Sequence, residues 1–175
     1  MLQLDFIPFP ELYTERLCLR QLSMKDENEV FLLRSDENVN KYLNRQPAQA
    51  IEDARHHIEK LNENFAREEG IIWAITEKGN DKLIGSVCFW KISRENLNAE
   101  LGYELLPAWQ GRGIMQEALL PILNYGFEKM KLRSIEAELS PRNIKSMRLL
   151  EKNGFTLLVN NTNEDSLVYV LMNKA

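Results

Sequence analysis

Hydrophobic and polar positions change their spacing several times along the chain, and each change marks an element. From Leu12 to Arg20 the pattern partly alternates, with Leu17 and Leu19 on one face and Arg16, Cys18 and Arg20 on the other, which predicts a first strand. Ser23, followed three residues on by Asp26, reads as the N-cap of a helix carrying Val30, Phe31 and Leu33. Asp36 to Leu43 continues as a short second helix. Gln46-Pro47-Ala48 opens a longer one, in which Ala50 or Ile51, Ala54, His57 or Ile58, Leu61 and Phe65 recur at helical spacing until Gly70. The period then falls to strand-like: Ile71 to Thr76, a turn at Lys78-Gly79-Asn80-Asp81, a hairpin partner from Leu83 to Trp90, and a third strand from Ala99 to Leu105. The middle of the chain is an antiparallel meander.

Beyond Gly113, residues Met115, Ala118, Leu119, Ile122, Leu123, Gly126 and Phe127 give an amphipathic helix facing a sheet. Pro121 falls inside it, removing a backbone hydrogen bond, so the helix bends there or tolerates the proline at a cost. Arg133 to Leu139 is a strand, Pro141 to Lys152 a helix with Asn153-Gly154 as its C-cap, Phe155 to Val159 a strand, Asn160 to Asp165 a polar turn, and Ser166 to Met172 the closing hairpin strand. The order predicts an α/β or α+β sheet with helices on its faces. With no repeat, low-complexity tract or linker, 175 residues of which 44% are hydrophobic suit a single domain over residues 1–175.

Charge and cysteine content narrow the function. A net charge of −4 and a pI near 5.4 argue against a nucleic-acid-binding face, and no apolar run approaches the length of a membrane span, so a cytoplasmic protein with neither partner is expected. Cys18 and Cys88 each lie in an apolar strand and read as core thiols. His56 and His57 are adjacent and cannot share a helical face, so no metal site is expected.

The chemistry concentrates between Asn98 and Glu128. There Gln110-Gly111-Arg112-Gly113-Ile114-Met115 joins a strand to a helix. Backbone N–H groups without intrahelical partners point outward at such a junction, beside the positive end of the helix macrodipole, which makes an anion site suited to a phosphate. Ile114 and Met115 stand where a Walker A loop needs Lys and Ser or Thr, and Gln116 stands where the dinucleotide fingerprint needs a small residue, so both of those readings fail.

The same six residues resemble the acyl-CoA pyrophosphate loop of the GNAT superfamily of N-acetyltransferases, with Met115 in the usually small last position, its side chain able to turn into the core. Thr14-Glu15-Arg16-Leu17-Cys18-Leu19-Arg20 is similar to the opening strand of that superfamily's RimJ/RimL-type branch, which acetylates α-amino groups of ribosomal proteins. The run from Ser140 to Phe155, with Asn143 and Ser146, is similar to the branch's second signature. The resemblance implies a mixed, mostly antiparallel sheet of six to seven strands, flanked by helices and splayed at the central strands. It also implies acetyl-CoA as co-substrate and no metal. Gln110, Gly111, Arg112, Gly113, Ile114 and Met115 would take the diphosphate, Leu105 and Leu106 would pair with the pantetheine arm, and Asn143 and Ser146 would touch the pantetheine and sulfur.

An amine attacking a thioester must first lose a proton, more easily from an α-amino group with pKa near 8 than from a lysine near 10.4. Glu100 and Glu104 share one strand face and are the candidate bases, Glu100 first because it lies farther from the diphosphate loop; either can instead be solvated or salt-bridged. Ser146 is the candidate acid for the departing thiolate. Asn143 can alternatively be only a helix N-cap. Tyr125, on another helix, is set aside as the acid.

The expected acceptor is a primary amine, namely a protein N-terminus of ribosomal-protein type, a small amine or a polyamine, and the acidic balance suits basic acceptors. Trp73, Phe89, Trp90 and Trp109 either line its pocket or belong to the core. A non-catalytic CoA-binding sensor or interaction module is the alternative reading, and a purely structural domain a third. A monomer or a homodimer through the terminal hairpin is expected.

Overall fold

The computed structural model describes residues 1–158 and 165–174. Its spine is one sheet in which β1 (Leu12–Tyr13), β2 (Leu17–Gln21), β3 (Ile71–Glu77), β4 (Asn80–Ser93), β5 (Asn98–Leu105) and β6 (Ser134–Leu139) follow one another, then β8 (Leu167–Met172), with β7 (Thr156–Leu157) on the outer edge. Every neighbouring pair is antiparallel except β5 and β6. The eighth strand comes from the expected first one. It breaks at Thr14, whose N–H donates to the Leu17 carbonyl and whose hydroxyl accepts from the Leu17 N–H, so β1 folds back on β2 with Leu12 opposite Leu19.

Five α-helices flank the sheet among the described residues: α1 (Glu27–Ser35), α2 (Glu37–Asn40), α3 (Ile51–Ala66), α4 (Ile114–Asn124) and α5 (Ile144–Lys152). The second helix stops at Asn40, short of Leu43; Asp36 caps it through the N–H groups of Asn38 and Val39. The third begins at Ile51, not at Pro47. Asp53 sets that start: its carboxylate accepts the N–H groups of Gln49 (2.7 Å) and Ala50 (3.1 Å), holding the preceding residues extended. In α4 the chain continues through Pro121 and then widens into a π-type turn over Tyr125–Lys129. The polar turn expected over Asn160 to Asp165 lies outside the described residues except at Asp165, as does Val159.

Strand alternation sends side chains to two cores. Leu17, Leu19, Trp73, Ile75, Phe89, Leu101 and Leu105 meet Ala118, Leu119 and Ile122 of α4 on one side, and all ten are buried. Leu22, Ala74 and Leu83 meet Val30 and Leu33 of α1 and Ala54 and Ile58 of α3 on the other. The face of β5 carrying Glu100, Gly102 and Glu104 alternates with its buried Ala99, Leu101 and Leu105 and so looks toward the second side.

Candidate active site

The parallel pairing of β5 with β6 ends early. It runs from Asn98 opposite Ser134 to Glu100 opposite Glu136; β6 then goes on with β8 through Leu139, while β5 goes on with β4 through Leu105. Past Glu100 the two strands part, leaving one backbone edge of β5 without a strand partner. The Leu106 N–H donates to the Ile84 carbonyl at 2.9 Å, and since backbone groups alternate sides along a strand, those of Leu101, Tyr103 and Leu105 face the opening. The expectation for Leu106 is therefore corrected: its donor is spent on β4. The Leu105 carbonyl accepts from the Gln110 side chain at 2.9 Å, tying the end of the strand to the loop that follows.

That loop passes through a short 3₁₀ turn, Pro107–Trp109, and then two left-handed glycines, Gly111 (φ 74°) and Gly113 (φ 73°), into α4. Non-glycine residues rarely adopt this backbone, and a β-carbon on Gly111 would meet nothing within 4 Å, so the turn presents bare backbone to solvent. Gly113 is the N-cap and offers no side-chain bond to the first turn, whose N–H groups remain directed outward. Ile114 and Met115 bury their side chains and contribute backbone alone. Arg112 lies exposed with its guanidinium 5.2 Å from the centre of the Trp109 ring.

A clasp from the start of the chain holds this turn. Glu117, in the first turn of α4, accepts from the Thr14 hydroxyl (2.5 Å), the Arg16 N–H (2.9 Å) and Arg16 Nε (2.6 Å), and Arg16 Nη1 donates to the Arg112 carbonyl at 3.2 Å. Burial alone would raise the Glu117 carboxyl, but the bonds from Thr14 and Arg16 outweigh it and hold it below its ordinary value. Sequence reading placed Thr14 and Arg16 in a signature without giving them a task.

Across the opening, the Tyr103 hydroxyl is hydrogen-bonded to Ser146 Oγ. Asn143 does act as the N-cap of α5, accepting from the Ser146 N–H at 3.2 Å. Burial pushes the Tyr103 hydroxyl up to about 12 despite the Ser146 bond, so it stays protonated and can donate to Ser146. Tyr103 was missed because its position on the strand says nothing of α5; a hydroxyl facing away from Glu100 and Glu104 was the available signal. α5 is fixed to α4 by reciprocal amide bonds between Gln116 and Asn153, at 2.9 and 3.1 Å.

The two carboxylates share a face but not an environment. Glu100 pairs with Lys91 Nζ at 2.7 Å, a side chain 55% exposed. Glu104 pairs with Arg45 at 2.7 Å, and its other oxygen lies 3.5 Å from the Ser86 hydroxyl. Four residues of strand separate them by roughly 13 Å, so a single amine reaches only one.

Trp73 and Phe89 are core, Trp90 is largely exposed beside Lys91, and Trp109 is half-buried under Arg112. The Cys88 thiol is pushed up to about 12, chiefly by burial, and is no nucleophile. His57 contacts Arg34 and His56 is exposed. Among the described residues no His, Cys, Asp or Glu cluster is arranged to hold a metal, and no helix is long and apolar enough to cross a membrane.

Residues 16–156 match the acetyltransferase (GNAT) domain family. The chain is 35% identical over 144 residues to the uncharacterized N-acetyltransferase p20 of Bacillus licheniformis, across 82% of this chain and 81% of that protein. It is 25% identical over 167 residues to the [ribosomal protein uS5]-alanine N-acetyltransferase of Escherichia coli K12, across 85% and 79%. Its fold superposes on the microcin C7 self-immunity acetyltransferase MccE, crystallised with acetyl-CoA and AMP, with a TM-score of 0.76 and 26% identity over 91% of this chain and 93% of that one.

Proposed function

The chain belongs to the GNAT acetyltransferase family and is an acetyl-CoA-dependent N-acetyltransferase, and we propose that it transfers the acetyl group directly to the α-amine of a protein N-terminus or of a small molecule. The observation that carries this reading is the parting of β5 from β6 beyond Glu100, ending at a turn of left-handed glycines.

Those features fit the co-substrate on their own chemistry. A diphosphate needs several convergent donors and no side chain in the way, which Gln110 to Met115 supply with Arg112 adding charge. A pantetheine amide needs a free strand edge, which Leu101, Tyr103 and Leu105 offer. Acetyl-CoA supplies an acyl group activated as a thioester. A backbone N–H on that open edge is the donor suited to polarise a carbonyl oxygen there.

Glu100 is the base. Its counter-ion is a long, exposed lysine side chain that an incoming ammonium can displace, whereas Glu104 is held by a guanidinium that also bonds Asn40. Ser146 is the acid: with its oxygen accepting from Tyr103, its own proton is left to point toward the departing sulfur, and Asn143 fixes the turn that carries it. An α-amine suits this site better than a lysine because more of it is neutral near pH 7. The named activity of the uS5-alanine relative supports the same acceptor type.

Release of free CoA thiol, followed over a panel of N-terminal peptides and small amines, tests the reading. Turnover with at least one amine is expected, and Glu100→Gln and Ser146→Ala should each lower kcat by about 10²-fold. Tyr103→Phe should lower it less and shift the alkaline limb of the pH profile. Failure of every amine to release thiol would overturn the proposal.

A further inference from the structure

Two guanidiniums gather near Glu104 on the acceptor side of β5. Arg34, at the end of α1, and Arg45, in the segment between α2 and α3, lie around Glu104. Arg45 Nε donates to the Asn40 side chain at 2.6 Å, and its Nη2 donates to Glu104 at 2.7 Å and to the Leu33 carbonyl at 3.3 Å. Glu104 is thus spent on Arg45.

Arg34 has no carboxylate within ion-pair distance among the described residues. Among the described residues its one side-chain hydrogen bond is with His57 Nε2 at 3.3 Å. His57 gives no compensating charge, because burial, then Arg34 and Arg45, push it down to about 3 and leave the ring neutral. Asp53 attracts Arg34 from a distance, but its carboxylate accepts two backbone N–H groups at the start of α3. Within ion-pair distance two guanidiniums thus share one carboxylate, Glu104, and Arg34 is half-buried without an ion pair, on the side of the sheet where Glu100 projects.

Half-burying a guanidinium without an anion costs free energy that a structural role would offset with a nearby carboxylate. A guanidinium with unused N–H donors is also the group best shaped to grip a planar anion through two bonds. The cavity behind the cluster, lined by Leu33, His57, Ile72, Ser86 and Glu104 among others, has only about 10 Å³ of free space, room for about one water. A ligand must therefore meet the guanidiniums at their outer edge, where 22% of the Arg45 side chain remains exposed.

Resting on the acetyltransfer reading above, we propose that Arg34 and Arg45 form a carboxylate subsite, so that the preferred acceptor is a primary amine that also carries a carboxylate. This narrows the acceptor away from the polyamines and basic tails that net charge alone favours. Because Glu104 and Glu100 are roughly 13 Å apart along the strand, a free α-amino acid is too short to reach both places, and the carboxylate is the acidic side chain of a peptide close to its amino end.

The test uses acceptor pairs that differ by one charge, with acetyl-CoA saturating: N-terminal peptides with Glu against Gln at the second residue, and the same exchange at the third. The carboxylate member of at least one pair should show about tenfold higher kcat/KM, carried mainly by KM, and the pair that shows it identifies the position of the carboxylate. Arg34→Gln and Arg45→Gln should each shrink that ratio toward one, and Arg34→Lys should keep part of it. Equal turnover of both members of every pair by the unaltered enzyme overturns the subsite and leaves the acetyltransfer reading standing. A ratio unchanged in both glutamine variants also overturns it. A panel in which no amine at all is acetylated overturns the acetyltransfer reading and the subsite together.

Discussion

Replacing Glu117 with Gln isolates the clasp that links the start of the chain to the diphosphate turn. The substitution keeps the shape and one acceptor oxygen but removes the charge that Arg16 and Thr14 address through three bonds of 2.5–2.9 Å. Hydrogen bonds to a charged group are each worth about 1.5–3 kcal/mol. Two facts reduce the loss here: the amide oxygen of glutamine can still accept the two bonds that converge on Oε1, and Arg16 is 48% exposed, so water screens the pair. About 1.5 kcal/mol is a fair net figure on those grounds. The Gly113 cap contributes no side-chain bond to the helix start, so the turn has little else from outside to hold its two left-handed residues in register.

A loss of that size lowers the population of the binding-ready turn and raises the apparent Kd for acetyl-CoA by about tenfold. Acetyl-pantetheine, which lacks the diphosphate, should bind the variant and the parent alike. Calorimetric titration of both thioesters reads the difference, and thermal unfolding should show a decrease of roughly 3–6 °C. Equal weakening for both thioesters, or none for either, would refute the reasoning, because the clasp would then support the fold without positioning the turn. Since the Glu117 carboxyl is held below its ordinary value, the stability it adds is present above about pH 4.5 and is lost as pH falls through its lowered folded value.

Other consequences can be measured on purified protein. His57, neutral in the fold with its pKa pushed down to about 3, favours protonation in the unfolded chain as pH drops below about 6.5, so stability should fall by up to about 1.4 kcal/mol per pH unit from there toward pH 3. Urea midpoints at pH 7 and pH 5 should therefore differ less in His57→Gln than in the parent, and an identical difference would rule this out. A β-carbon at Gly85 would lie 2.5 Å from the Glu104 carbonyl, a backbone atom that cannot turn aside, so Gly85→Ala should cost about 1–3 kcal/mol. Gly79→Ala, in an open turn at φ 80°, should cost about 1 kcal/mol from backbone strain alone. Comparable melting temperatures for the two variants would mean that β4 and β5 separate more easily than their packing suggests.

Several elements were legible because their causes are local. The alternation of Leu17 with Leu19 and the hairpin turn at Lys78 to Asp81 are written in short-range spacing, and they reappear as β2, β3 and β4. The glycine turn was equally plain, since left-handed backbone at 111 and 113 is a demand that residue type announces. Boundaries fared worse where a side chain competed with propensity. Asp53 moved the start of α3 to Ile51, and Thr14 split the first strand in two.

Sequence alone determined the kind and order of most strands and helices, where a bare-backbone turn meets a helix start, and which family signatures accompany it, because periodicity, turn chemistry and motif spacing act over a few positions. Only tertiary structure decided that Tyr103 meets Ser146 across the strand opening, that Leu106 spends its N–H on Ile84, that Lys91 and Arg45 divide the two glutamates, and that Arg34 forms no ion pair among the described residues. Those outcomes depend on which distant segments the folded sheet brings to the same few ångströms, and residue spacing along a chain carries no record of that.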